Sequence, residues 1–173
     1  MTATNYLTAL QFVWRAGFDN PADRYHVTPG DPGGGTFGGV TEATWRDATL
    51  RGGVSGALET ASYSELSTVL HDGYWGSVCD ALPDGVDLLM FNGRMMTGAF
   101  PRLFQAALGV VTDGQIGPRT LDAARVAVRT DLIDHVTMRH IFYLSGLETW
   151  VNFHTGWLTR LLAACDAAKG VRT

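Results

Sequence analysis

Cysteine, lysine and long apolar runs are all scarce in this chain, and each scarcity removes a class of function. Of its 173 residues two are cysteine, Cys79 and Cys165. Two cannot form the multi-bridge framework of a small secreted scaffold. No histidine lies at ligand spacing from either, so no metal site is expected. Lysine occurs once, at Lys169, beside twelve arginines. With a net charge of −4 and only 17% charged residues, the chain lacks the basic surplus of a nucleic-acid binder. No apolar run reaches the roughly 18 residues of a membrane span. The opening MTATNYLTAL has no basic n-region and no long apolar stretch, so no secretory signal peptide is expected. What is present is 46% apolar residues, enough to bury a core in one domain or two small ones.

The apolar residues recur mostly at helical spacing. Residues 4–16 read as a helix with Thr4 as a possible cap. Residues 17–40 hold seven glycines and three prolines, which excludes a regular helix and suggests a functional loop or small irregular β-hairpin. Thr41 is expected to cap a helix over TEATWRDATL with Trp45 and Leu50 facing inward, and Ser64 to cap one over SELSTVLHDGYW. Residues 85–96 read as a buried helix, with further apolar segments at 100–109 and 120–128. Asp131 opens a long helix, and the last runs from Trp150 to Ala168 with Trp150, Phe153, Trp157, Leu161 and Leu162 on one face. There is no 20–50-residue repeat and no βαβ alternation. The expected fold is mainly α-helical, in two lobes divided by a composition shift near Pro83, roughly 1–82 and 83–173.

Three segments offer chemistry. In Asp31-Pro32-Gly33-Gly34-Gly35-Thr36 the glycines let backbone approach a ligand, and Asp31 with Thr36 could hold a water for attack on an acetal carbon. An Asx-turn is the plainer alternative for Asp31. In VTDGQIGPRTL, residues 111–121, Asp113-Gly114 forms a turn and Pro118 opens a helix; helix–turn–helix punctuation accounts for both. In GVDLLMFNGRMMTG, residues 85–98, Asp87 and Asn92 sit in an apolar helix, where each either bonds a neighbouring segment or lines a cleft. Met95 and Met96 read as core filling. The five histidines are scattered, and His135 and His140 are spaced poorly for two ligands on one face. No nucleophile elbow, Walker loop or dinucleotide fingerprint occurs, so no cofactor is expected.

Taken in order, these segments resemble the phage- and prophage-type lysozymes of glycoside hydrolase family 108, which carry a C-terminal peptidoglycan-binding region. The resemblance runs from about residue 5 to 168. It rests on Asp31-Pro32-Gly33-Gly34-Gly35-Thr36, on the helix start Gly39-Val40-Thr41, and on Asp87, Asn92 and Gly93. It also rests on Asp113, Gly114, Ile116, Gly117, Pro118 and Thr120, and on Gly156, Trp157 and Arg160. It implies a lysozyme-like fold with a catalytic lobe at 1–82 and a peptidoglycan-binding lobe at 83–173. The implied activity is cleavage of the β-1,4 bond between N-acetylmuramic acid and N-acetylglucosamine by a muramidase. In that family a glutamate ending the first helix protonates the leaving oxygen. An Asp and a Thr across the cleft, here Asp31 and Thr36, position water, with the carboxyls roughly 6.5–9.5 Å apart in an inverting enzyme. Asp87 and Asn92 are the implied substrate-binding residues. A monomeric endolysin is implied, with no cofactor or nucleic acid, made in the cytoplasm and reaching the wall through a holin-type pore. A virion component is equally compatible.

One departure bears on the mechanism. The first helix ends Trp14-Arg15-Ala16-Gly17-Phe18, so the glutamate slot holds Ala16, or Arg15 in the alternative alignment. The only glutamates are Glu42, Glu59, Glu65 and Glu148. Alanine cannot transfer a proton and arginine stays charged. Three accounts follow: an engineered exchange at position 16, a natural loss of catalysis with wall binding retained, or recruitment of Asp19, Asp23 or Glu42. The chain is expected to bind peptidoglycan and to cleave it poorly or not at all.

Overall fold

The computed structural model describes residues 3–15, 25–27 and 34–171. It is mainly α-helical with one small antiparallel sheet, as the sequence led us to expect, and the chain packs as two compact units, Leu10–Gly76 and Met1–Ala9 with Ser77–Thr173. Helix α1 spans Ala3–Arg15, so Thr4 lies inside the helix and does not cap it.

In the unit Leu10–Gly76, strands β1 (His26–Val27), β2 (Gly35–Phe37) and β3 (Val40–Thr41) form the sheet in the order β1-β2-β3. The β2–β3 turn is Gly38-Gly39, with φ of 57° and 81°. Positive φ at both central residues is what a tight hairpin turn matching the strand twist requires. Leu66 seals this turn: a Cβ on Gly38 would stand 2.9 Å from its Cδ1. Trp14 Nε1 donates to the Gly38 carbonyl at 3.1 Å, fixing the end of α1 to the hairpin.

Thr41 caps α2 (Glu42–Leu50) as expected, accepting from the Thr44 N–H at 3.3 Å. Trp45 is buried and donates to the Gly56 carbonyl, but Leu50, expected inside, is 81% exposed because it ends the helix beyond the packed turns. The next helix, α3 (Tyr63–Leu70), is capped by Ser62 and not by Ser64. Ser62 and Glu65 form a capping box, with the Ser62 N–H on Glu65 Oε2 at 2.8 Å. The helix does not continue to Trp75 as one α-helix. It widens into a π-turn over His71–Trp75, and Gly76, at φ 51°, starts α4 (Gly76–Asp80).

In the other unit, α5 (Val86–Met96) is buried from Val86 through Gly93. It packs on α6 (Phe100–Leu108), α8 (Arg129–Ser145) and α9 (Trp150–Gly170), while α7 (Pro118–Val126) lies on α6. The ring of Phe100 fills the space a Cβ on Gly93 would need, which is why glycine stands there. Helix α8 begins at Arg129, two residues before Asp131. Arg129 reaches the Ala168 carbonyl at 2.9 Å and ties the start of α8 to the end of α9. On α9, Leu161 is buried but Leu162 is 53% exposed. No residue of this helix before Arg160 is fully buried. Trp150 and Trp157, expected to be mostly buried, are half-buried, with ring centroids 6.2 Å apart.

Candidate functional site

Two of the residues read as the catalytic centre, Ala16 and Asp31, lie outside the described residues, as do Asp19 and Asp23. Thr36 is described. It is half-buried at the centre of the sheet, paired with His26 on one side and Thr41 on the other. Arg15 is exposed at the last turn of α1, where a cation favours the negative end of the helix dipole.

The glycines beside Thr36 have separate reasons. Gly34 has φ 74°, a left-handed conformation that a side chain disfavours. Gly35 has no room: the ring of Tyr25 occupies the place of its Cβ. The Tyr25 hydroxyl donates to the carboxylate of Glu42, in the first turn of α2. The other oxygen of Glu42 would be 3.7 Å from a Cβ on Gly34. Tyr25 and Glu42 therefore clasp the glycine segment from β1 and α2. The Glu42 carboxylate, accepting this hydrogen bond, pushes the Tyr25 phenol above its ordinary pKa, so it stays protonated at neutral pH. Of the three acids considered for recruitment, Glu42 is the one the described residues place at this segment. Glu65 is committed to its capping box, whose Ser62 bonds hold its carboxyl below the usual range.

Asp87 and Asn92 are both buried inside the second unit and partnered there. Asp87 Oδ1 accepts from the N–H groups of Gly85 at 2.8 Å and Leu88 at 2.7 Å, and its Oδ2 accepts from Asn5 Nδ2 at 2.9 Å. Burial pushes its pKa up against the opposing pull of those bonds. Asn92 Oδ1 accepts from Arg160 Nε at 2.7 Å. At 3% and 0% exposure neither is available to a glycan, so the internal-partner reading holds and the substrate-binding one is set aside. The same network gives Arg160 of the Gly-Trp-x-x-Arg segment a structural role.

The 113–120 turn punctuates α6 and α7 as expected, with Gly117 as N-cap and Pro118 at the helix start. Its fastener was not visible in the sequence. Gln105, buried on α6, donates through Nε2 to Asp113 Oδ1 at 2.7 Å, to the Gln115 carbonyl at 3.0 Å and to Thr120 Oγ1 at 3.3 Å. Its Oε1 accepts from the Gly114 N–H at 2.7 Å. A glutamine in an apolar helix eight residues before an Asp-Gly is the one trace the sequence carries of this arrangement.

The glycine segment and the helix cap after it fall in the stretch that matches a known family: residues 23–98 match the model of glycosyl hydrolase 108. Over that stretch the resemblance read from the motifs is thereby borne out. Eight chains of solved structures match it. One is the structure of Brucella abortus SagA, with a TM-score of 0.83 and 28% identity over 97% of this chain and 95% of that one. The curated proteins give no match.

Proposed function

We propose that the protein is a lysozyme-type muramidase directed at peptidoglycan, of phage or prophage origin, cutting the N-acetylmuramic acid to N-acetylglucosamine bond. The observation that carries this reading is the Thr36-centred sheet with its tailored glycines, inside the stretch matching a glycoside hydrolase family. In this reading the hydrolase site belongs to residues 1–82 and wall binding to residues 83–173. Asp31 and Thr36 hold the attacking water. The protein acts as a monomer, made in the cytoplasm, on glycan strands beyond it after release through a separate pore. No helix among the described residues is long and apolar enough to cross a membrane.

Cleavage of an acetal needs a proton on the departing oxygen, and neither Ala16 nor Arg15 can give one. General acid catalysis is worth about 10²–10⁴ in rate. The chain as it stands is therefore proposed to bind the wall and to hydrolyse it poorly or not at all. The second reading, a non-catalytic wall-binding protein, is favoured by that same missing acid. Turbidity loss of permeabilised cell walls tests both. Ala16→Glu should gain lysis by about two orders of magnitude or more over the parent. Equal lysis by the two forms would put the acid elsewhere. Lysis by neither, with binding retained, would favour the accessory protein.

A further inference from the structure

We propose that the cavity beside the 113–120 turn binds the free-carboxylate end of a short peptide, of the kind that branches from peptidoglycan glycan strands, and not sugar rings. This rests on the reading of residues 83–173 as wall-binding and names the part of the wall that is bound. The cavity has a volume of about 690 Å³ and is lined by residues running from Gln105 to Thr120. That is the size range of small-ligand sites, roughly 300–1,000 Å³.

Its chemistry selects the ligand. None of its lining residues is aromatic, and sugar rings are held above all by flat aromatic faces. The apolar part of the wall is Val110, Val111 and Pro118, on which a small alkyl group such as the methyl of an alanyl residue can rest. Charge of both signs frames it. Arg119 lies on the lining, and its N–H and that of Thr120 belong to the first turn of α7, where helix amides have no partner within the helix. Together these form a carboxylate receptor. Asp113 lies on the same lining. Its Oδ1 is taken by Gln105 and the Gln115 N–H, at 2.7 and 2.8 Å, which leaves Oδ2 for an ammonium group. Those bonds, with Arg102 nearby, hold its carboxyl below the usual range, so it is an anion at neutral pH. A carboxylate, a small alkyl group and an amine within one cavity describe a short peptide with a free carboxylate end and a side-chain amine. The walls are held in advance of binding, because Gln105 and Thr120 are buried and bonded to each other.

The test is amide NMR on the full-length labelled chain with three soluble probes: a muramyl pentapeptide, the same compound amidated at its C-terminal carboxylate, and chitotetraose. The pentapeptide should shift amides between residues 105 and 120. Amidation of the peptide or Arg119→Ala, an exposed position, should weaken binding at least tenfold. Val110→Trp should fill the cavity and abolish the shifts while the circular dichroism spectrum is kept. Three results would each overturn the assignment: no shifts with the peptide, equal binding of the amidated form, or the same amides responding to chitotetraose. Co-sedimentation with purified sacculi reads the wall-binding premise separately. Retention on sacculi without a peptide response at the cavity overturns this proposal and spares the premise. A peptide response without retention supports the cavity assignment and overturns the premise.

Discussion

Gly85 precedes α5 with φ 83°, and a Cβ there would overlap the carbonyl oxygen of Ala168. That carbonyl also accepts from Arg129, so it is not free to move aside. The left-handed conformation alone costs a non-glycine residue about 1–2 kcal/mol. Gly85→Ala should therefore lose at least about 2 kcal/mol in urea unfolding, the overlap adding to that conformational term. His140 offers a second test at this scale. It is fully buried against the edge of Phe100, and neither ring nitrogen finds a hydrogen-bond partner among the described residues. Burial, with the charge of Arg160 beside it, pushes its pKa down to about 4. An unfolded histidine titrates near 6.5. Between these values the unfolded chain binds a proton that the folded chain does not, so stability falls as pH falls through that window and levels off below it. The loss due to this residue is at most about 3 kcal/mol. His140→Leu should show a smaller drop than the parent between pH 7 and pH 4.5, measured by denaturant unfolding at both.

Among the elements, the 113–120 turn depends on one side chain. Gln105→Leu would remove its four hydrogen bonds and leave Thr120 buried without that partner, a change of about 1–3 kcal/mol. Hydrogen exchange of the amides between 110 and 120 should accelerate well before that of α8. The elements also show what a one-dimensional pattern carries. Thr41, the Pro118 start and the buried α5 were legible because capping chemistry, proline geometry and apolar density act within a few residues. The cap of α3 is Ser62 and not the expected Ser64, and Ser62 has glutamate three residues on, the more specific signal. The start of α8 at Arg129, ahead of the expected Asp131, was not legible, since the partner of Arg129 is a carbonyl 39 residues away. At the candidate site, Thr36 and the need for glycine were readable. The clasp of Tyr25 on Glu42 was not, since it exists only once β1 and α2 are brought to the same glycines. The internal partners of Asp87 and Asn92 come from α1 and α9, 82 and 68 residues distant, so pattern alone could not separate a structural acid from a ligand-binding one.

Over the whole molecule, the path of the chain has a consequence for the order of its making. The unit holding α5 to α9 is discontinuous in sequence: it begins with Met1–Ala9 and resumes only at Ser77. Asn5 and Tyr6, from that first segment, bond Asp84 and Asp87 and meet the ring of Phe91 edge-on. During synthesis these two side chains leave the ribosome about 80 residues ahead of their partners. The stretch Leu10–Gly76, in contrast, is contiguous and can close as soon as it emerges. A fragment of residues 77–173 would thus be born with a buried carboxylate lacking one of its donors and a ring lacking its edge contact. It should unfold at lower urea concentration than the corresponding transition of the intact chain, with supply of a peptide covering residues 1–15 moving the midpoint back up. The segment carrying Asn5 and Tyr6 thus acts as a late keystone, made well before its partners and set in place after them.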